Sequence, residues 1–210
     1  MLQAVRSSIG RKVLVALTGL ALSGFLALHL AGNLLIYSGP ETFNGYAEKL
    51  EESGLLLPAE VLLFLTFASH ITFAIWVTVE NWKARRVRYA LKRWEGGKTF
   101  ASSTMWISGP LTLVFLVVHL SNFRFAETGN LHALVVSTLQ SWPYAAWYIF
   151  SMAVVATHVS HGFQSAFRTL GLTHPTYAAL VVWLGRMFAL AVVIGYSSIP
   201  VWISLFRAES

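Results

Sequence analysis

Five apolar runs, at 13–37, 58–82, 105–123, 144–167 and 177–205, constrain this chain more than any other feature. About 20 helical residues cross the hydrocarbon core of a bilayer. Within lipid an unpaired backbone group costs several kcal/mol, so each run is expected to be a helix. The predicted fold is all-α: one domain, 1–210, an integral membrane bundle of five transmembrane helices. Composition agrees, with 56% hydrophobic residues, 11% charged residues and a mean hydropathy of +0.61. No stretch between the runs is long enough to hold a soluble core, and no internal repeat stands out. Arg6, Arg11 and Lys12 ahead of the first run imitate a secretory signal. That run is about twice the length of a signal's apolar region, so it reads as a retained span. Pro200 allows a break in the last run.

The basic residues set an orientation. Arg6, Arg11 and Lys12 precede the first run, Lys83, Arg85, Arg86, Arg88, Lys92, Arg93 and Lys98 follow the second, and Arg168 follows the fourth. Lys49, Arg124 and Arg207 fall on the other side, with Glu41, Glu48, Glu51 and Glu52. Basic residues concentrate in cytoplasmic loops, which predicts a cytoplasmic N-terminus, an outside C-terminus and a multi-pass protein of the cytoplasmic (inner) membrane. The net charge of +6 therefore calls for no nucleic acid. The stretch from Lys83 to Lys98 also offers a docking surface for an acidic partner or for lipid head groups.

With no Cys and no Asp, the chain has few metal ligands other than histidine. Thiolate ligation of an iron–sulfur cluster and disulfides are excluded. Four spans each carry a histidine near their middle: His29, His70, His119 and His158. A lone histidine in a span is more often a helix–helix hydrogen bonder, but intramembrane ionisable groups are expensive and usually functional. Depth divides the four. His29 lies eight residues before Tyr37 and His119 five before Arg124, both in the outer half. His70 lies eleven before Asn81 and His158 ten before Arg168, near the middle or further in. Two imidazoles at one depth on different helices suit axial ligation of a haem iron. The pattern predicts two haems b, one held by His29 and His119 and the other by His70 and His158. Gly19, Ser23, Gly24, Gly32 and Gly109 leave room for a macrocycle or, equally, for close helix packing. His161, one turn beyond His158, is an alternative ligand or, as expected, a partner for a propionate or a backbone carbonyl. His132 and His174 fall in predicted loops.

Two arginines are candidates for haem propionates: Arg186, within the fifth run, and Arg168, at the inner end of the fourth. Snorkelling to the head groups is the alternative for both. At the outer face Glu60 opens the second span, with Glu51 and Glu52 just before it. A quinone reacting there exchanges protons, and a carboxylate is a suitable shuttle. A solvated helix-start carboxylate explains Glu60 equally well.

Beyond these patterns, particular stretches resemble a known family. Ser7-Ser8-Ile9-Gly10-Arg11-Lys12, Thr18-Gly19-Leu20 and His29-Leu30-Ala31-Gly32-Asn33-Leu34 resemble the first helix of the succinate dehydrogenase cytochrome b558 family. Its members are single-chain, two-haem membrane anchors of succinate:quinone oxidoreductases (complex II) and fumarate reductases. The stretch from Ser38 to Tyr46 is similar to that family's outer loop, and the stretch from His158 to Phe167 to its fourth span. The resemblance implies His29 and His119 as ligands of a distal haem and His70 and His158, rather than His161, as ligands of a proximal one. It implies flavoprotein and iron–sulfur subunits on the cytoplasmic face, with menaquinone the expected quinone, and leaves open a higher oligomer of the complex. Electrons would run from succinate to quinone or the reverse. Nothing in the chain is suited to bind flavin or oxidise a dicarboxylate, so alone it would not act on succinate. Dihaem fumarate reductases can carry a glutamate just before the fourth-span ligand, where Ala156 and Thr157 stand here. Two other readings compete: a cytochrome b of a hydrogenase, formate or nitrate enzyme, and a haem-free transporter with histidine proton relays.

Overall fold

Local signals place the helix boundaries. The Ser7 hydroxyl accepts from the Gly10 amide at 2.9 Å and opens α1, Ser8–Leu34, which tightens into a 3-10 turn, Leu35–Ser38. Gly39, at φ 95, takes the left-handed turn that L residues avoid, and Pro40 then starts α2, Pro40–Glu52. Next come α3, Leu56–Ala84, and α4, Phe100–His119, which runs into a π turn, Leu120–Arg124. Asn130 caps α5, Leu131–Gln140, by accepting from the Ala133 amide; α6, Trp142–Thr169, and α7, Ala178–Phe206, complete the order. The computed structural model describes residues 7–84, 100–126 and 128–206, and no strand occurs among them. Arg6, Arg207 and the basic residues Arg85, Arg86, Arg88, Lys92, Arg93 and Lys98 lie outside the described residues.

Three local expectations are corrected. The stretch read as an outer loop after Ser38 is helical from Pro40. His132 is not in a loop but in the first turn of α5, buried beside Phe43, because Asn130 supplies a cap just before it. The last run is unbroken at Pro200, where Ile199, Pro200 and Ile203 are buried and tertiary packing carries α7 past the missing donor.

Among the described residues, four helices are long and apolar enough to cross a membrane: Ser8–Ser38, Leu56–Ala84, Thr104–Arg124 and Ala178–Phe206. The 28-residue α6 is as long but more polar, with Ser151, Thr157, His158, Ser160, His161 and Gln164. It is the central helix, packed on α1, α4 and α7, and it buries Tyr148, Met152, Val155 and Ala156. In contrast α3 packs on α1 and buries none of its own residues. Its Leu62, Phe64, Leu65 and Ile75 all stand exposed, a surface that water would not tolerate and lipid does not penalise. Across one end of the bundle α2 and α5 join a core of Ile36, Phe43, Val135, Leu139, Tyr148, Ile199 and Ile203.

Two ion pairs fix the relative direction of three helices. Arg11, at the start of α1, donates to both Glu80 oxygens near the end of α3, at 2.6 and 2.7 Å. Its guanidinium also lies 4.7 Å from the Trp76 ring centre, and the Trp76 indole donates to Glu80 at 2.9 Å. At the other end Arg124 pairs with Glu60, at 2.5 and 2.9 Å, joining the end of α4 to the start of α3. Arg11, expected as an N-terminal charge ahead of the first span, thus lies within α1 and is 5% exposed, between α1 and α3. Removing the carboxylate takes a charged, two-oxygen acceptor away from a buried guanidinium. Glu80→Gln is therefore expected to lower the melting temperature of the purified protein in detergent, whereas Glu48→Gln, at an exposed position on α2, leaves it unchanged.

Candidate metal centre

The four histidines expected near the middle of spans meet as two pairs. His29 on α1 faces His119 on α4, with ring centroids 5.9 Å apart and planes at 85°. His70 on α3 faces His158 on α6, with centroids 6.5 Å apart and planes at 79°. The helices that share a pair do not pack closely on each other: the close contacts run α1 to α3, α1 to α6, α4 to α6 and α6 to α7. Each pair therefore reaches across a gap between helices that others hold in place. Gly19 of α1 lies against His70 and Gly109 of α4 against His158. His29 and His119 each follow ten residues later on those same helices. At 1.5 Å per residue the two pairs are stacked about 15 Å apart along the bundle.

The pair expected further in, His70 with His158, is built from hydroxyls and glycines. Thr18 Oγ1 is 3.0 Å from His70 Nδ1, and Ser108 Oγ is 3.3 Å from His158 Nδ1. A Cβ on Gly19 would stand 3.1 Å from His70 Cε1, and one on Gly109 would stand 3.6 Å from His158 Cε1. Glycine at 19 thus sets how closely the ring approaches α1, whereas at 109 the contact is ordinary. The other small residues serve elsewhere. Gly32 lies under Tyr46, Gly24 faces open space, and Ser23 donates to the Gly19 carbonyl.

The pair expected in the outer half, His29 with His119, is built from aromatic rings. Phe25 stacks on His29 at 5.2 Å, and Phe115, Phe123 and Tyr148 surround His119 at 5.5, 5.4 and 6.1 Å. Tyr196, whose hydroxyl donates to the Leu26 carbonyl, lies 6.1 Å from the His29 ring. Asn122 donates to the Tyr148 hydroxyl from the π turn that begins directly after His119. Such turns frequently occur at functional sites. His119 Nδ1 is buried with no hydrogen-bond partner among the described residues. Leaving a buried polar atom unpaired costs about 1–3 kcal/mol.

These spacings would leave room for a metal between the two imidazoles of each pair. With metal–nitrogen bonds of about 2 Å, opposed imidazole ring centres stand about 6 Å apart, and the two observed spacings lie on either side of that value. Among the described residues no three His, Cys, Asp or Glu converge, so a bare ion finds no tetrahedral ligand set there. An iron whose equatorial ligands arrive with its macrocycle needs only two protein ligands. All four rings are half-buried, so each keeps open space beside it.

The remaining candidates divide between the two ends. Arg168 and Arg186 are exposed and line one cleft of about 720 Å³ with Gln164, Thr173, His174 and Trp183, where α6 ends and α7 begins. His161 is not among its lining residues. At the opposite end Glu51, Glu60 and Arg124 line a cleft of about 270 Å³ with Leu56 and Leu57, and Glu52 lies outside it.

Thr18, Ser108, Phe25 and Phe115 were not expected as site residues, and their signal is a repeat. Thr18-Gly19, Phe25 and His29-Leu30 recur at identical spacing as Ser108-Gly109, Phe115 and His119-Leu120. The expectation of no internal repeat is corrected: α1 and α4 present equivalent residues to the two pairs. Compared with known protein families, with curated proteins and with solved structures, the chain matches none.

Proposed function

We propose that this chain is the dihaem cytochrome b anchor of a succinate:quinone oxidoreductase. The observation that carries the reading is the two histidine pairs, each bringing two imidazoles to a centroid separation of 5.9 or 6.5 Å from helices that do not pack together, so that each pair would hold one haem iron. In this reading His29 and His119 hold the distal haem and His70 and His158 the proximal one, and α6 is the fifth span, its polar residues sheltered by α1, α4 and α7. The N-terminus is cytoplasmic and the C-terminus outside, in the cytoplasmic membrane. The haems supply one-electron transfer between an iron–sulfur subunit and a quinone, with menaquinone expected. The chain's own residues hold the irons, shield them from water with aromatic rings and offer carboxylates at the outer cleft. Arg168 and Arg186 are the candidate propionate partners. The flavoprotein and iron–sulfur subunits dock on the cytoplasmic face, beside Lys83 and the basic stretch after it.

The purified protein is expected to show a Soret band, a haem-to-chain ratio of two, and a covalent-flavin subunit that copurifies. No Soret band would favour the haem-free transporter. Haem with a different partner would move the assignment to another membrane oxidoreductase.

A further inference from the structure

Most hydroxyls within these helices simply return to their own backbone. Ser23, Thr66, Thr78, Ser121 and Thr157 each donate to the carbonyl four residues back, at 2.7–2.9 Å. Thr18 does the same to Leu14 at 2.7 Å but also stands 3.0 Å from His70 Nδ1. Because its hydrogen is committed to the carbonyl, Thr18 Oγ1 can only accept from the imidazole. His70 then carries its hydrogen on Nδ1, and Nε2 is left as the lone-pair nitrogen, since a neutral imidazole has one of each. Ser108 repeats the arrangement at His158 with longer contacts, 3.5 Å to the Met105 carbonyl and 3.3 Å to Nδ1, and it is 4% exposed. In both cases the next residue is a glycine against the same ring's Cε1. Two helices thus present the same hydroxyl–glycine dipeptide to two histidines.

We propose that Thr18 is a positioning residue for the inner histidine pair, accepting from Nδ1 so that the Nε2 of His70 faces its metal as a lone pair, with Ser108 placed beside His158 Nδ1 in the matching position. The role of this nitrogen as a ligand rests on the dihaem reading, whereas the direction of the hydrogen bond does not. Acceptance at Nδ1 makes an imidazole more electron-rich and favours the higher charge on a metal at Nε2. Among the described residues the pair His29–His119 has no such hydroxyl–glycine cradle, so the effect should be confined to the haem at His70 and His158.

The test uses Thr18→Val, which removes the hydroxyl acceptor with nearly unchanged shape and leaves only the Val15 carbonyl beside the His70 ring, and Thr18→Ser, which keeps the hydroxyl. In the full-length haem-free chain in detergent, with 15N-labelled histidine, wild-type His70 is expected to show a protonated Nδ1 and a bare Nε2. T18V loses that preference and T18S retains it. In the haem-loaded complex T18V raises the midpoint potential of one haem, leaves the other in place, and T18S stays near wild type. Ser108→Ala gives a smaller shift in the same direction. A wild-type His70 protonated on Nε2 would overturn the proposal. So would a T18V protein whose tautomer and potentials match wild type, or one in which both haems shift together. A correct tautomer in a chain that takes up no haem would overturn the dihaem reading and leave the hydrogen-bond assignment standing.

Discussion

His70→Ala is expected to yield a protein that binds one haem where the wild type binds two. The pairs lie about 15 Å apart along the bundle, and the aromatic rings around His29 and His119 are not shared with His70 and His158. Loss of one inner ligand therefore leaves the outer site whole. The mutation also removes a ring lying against Gly19 on α1, but α3 buries no residue of its own, so the packing lost is small. Haem extracted per chain should halve, and the remaining spectrum should be that of a six-coordinate, low-spin centre. His161→Ala serves as the control and should retain both haems. A His70→Ala protein without any haem would mean that the sites are not independent. Loss of haem from His161→Ala would move the inner ligand one turn along α6.

The histidine pairs were legible in the sequence because depth in a membrane is a one-dimensional quantity. Counting residues from the ends of a span locates a side chain along the bundle, and two side chains at one depth are candidates to meet. His29 with His119 and His70 with His158 followed from that count, and the structure brings the same rings together. Rotation about a helix axis is not given by the count. Whether Arg11 points to water or into the α1–α3 interface depends on Glu80 and Trp76 standing opposite it, so a residue read as an N-terminal charge ahead of the first span proved to be buried. The same limit applied to Arg168 and Arg186. Eighteen residues apart in sequence, they share a cleft only because α7 folds back along α6.

The helices outside the spans were missed for another reason. Membrane length draws attention to long apolar runs, whereas α2 and α5, of 13 and 10 residues, are fixed by short-range caps at Gly39-Pro40 and Asn130. Those signals were present in the sequence but weak beside the runs. The cradle of the inner pair was hidden by the nature of its match. Thr18 and Ser108 differ in identity, as do most residues between them and the histidines, and only Gly, Phe, Leu, His and Leu coincide. It becomes plain once Gly19 and Gly109 are seen against equivalent rings.

Glu60→Gln is expected to reduce quinone turnover by about 10²–10⁴-fold, the range for loss of a positioned proton-transfer group, with haem content unchanged. Glu60 stands on the rim of the 270 Å³ cleft with Leu56 and Leu57, on the same side of the bundle as the His29–His119 pair. Its carboxylate is held by Arg124, but the pair is open to its surroundings, with side chains 31% and 55% exposed. Ion pairs of that exposure are worth about 1 kcal/mol or less, so Arg124 can hold the carboxylate at rest without preventing its release toward a quinone. Glutamine keeps the size and one hydrogen-bonding oxygen for Arg124 but cannot carry the proton, which separates transfer from structure. Glu51→Gln, on the same rim, should have a smaller effect, and Glu52→Gln, outside the cleft, almost none. Steady-state quinol oxidation and a thermal melt on the same preparations decide the matter. Full turnover in Glu60→Gln with loss in Glu51→Gln would transfer the role to Glu51. A lowered melting temperature accompanying the loss would show that Glu60 acts through its contact with Arg124 rather than on the proton.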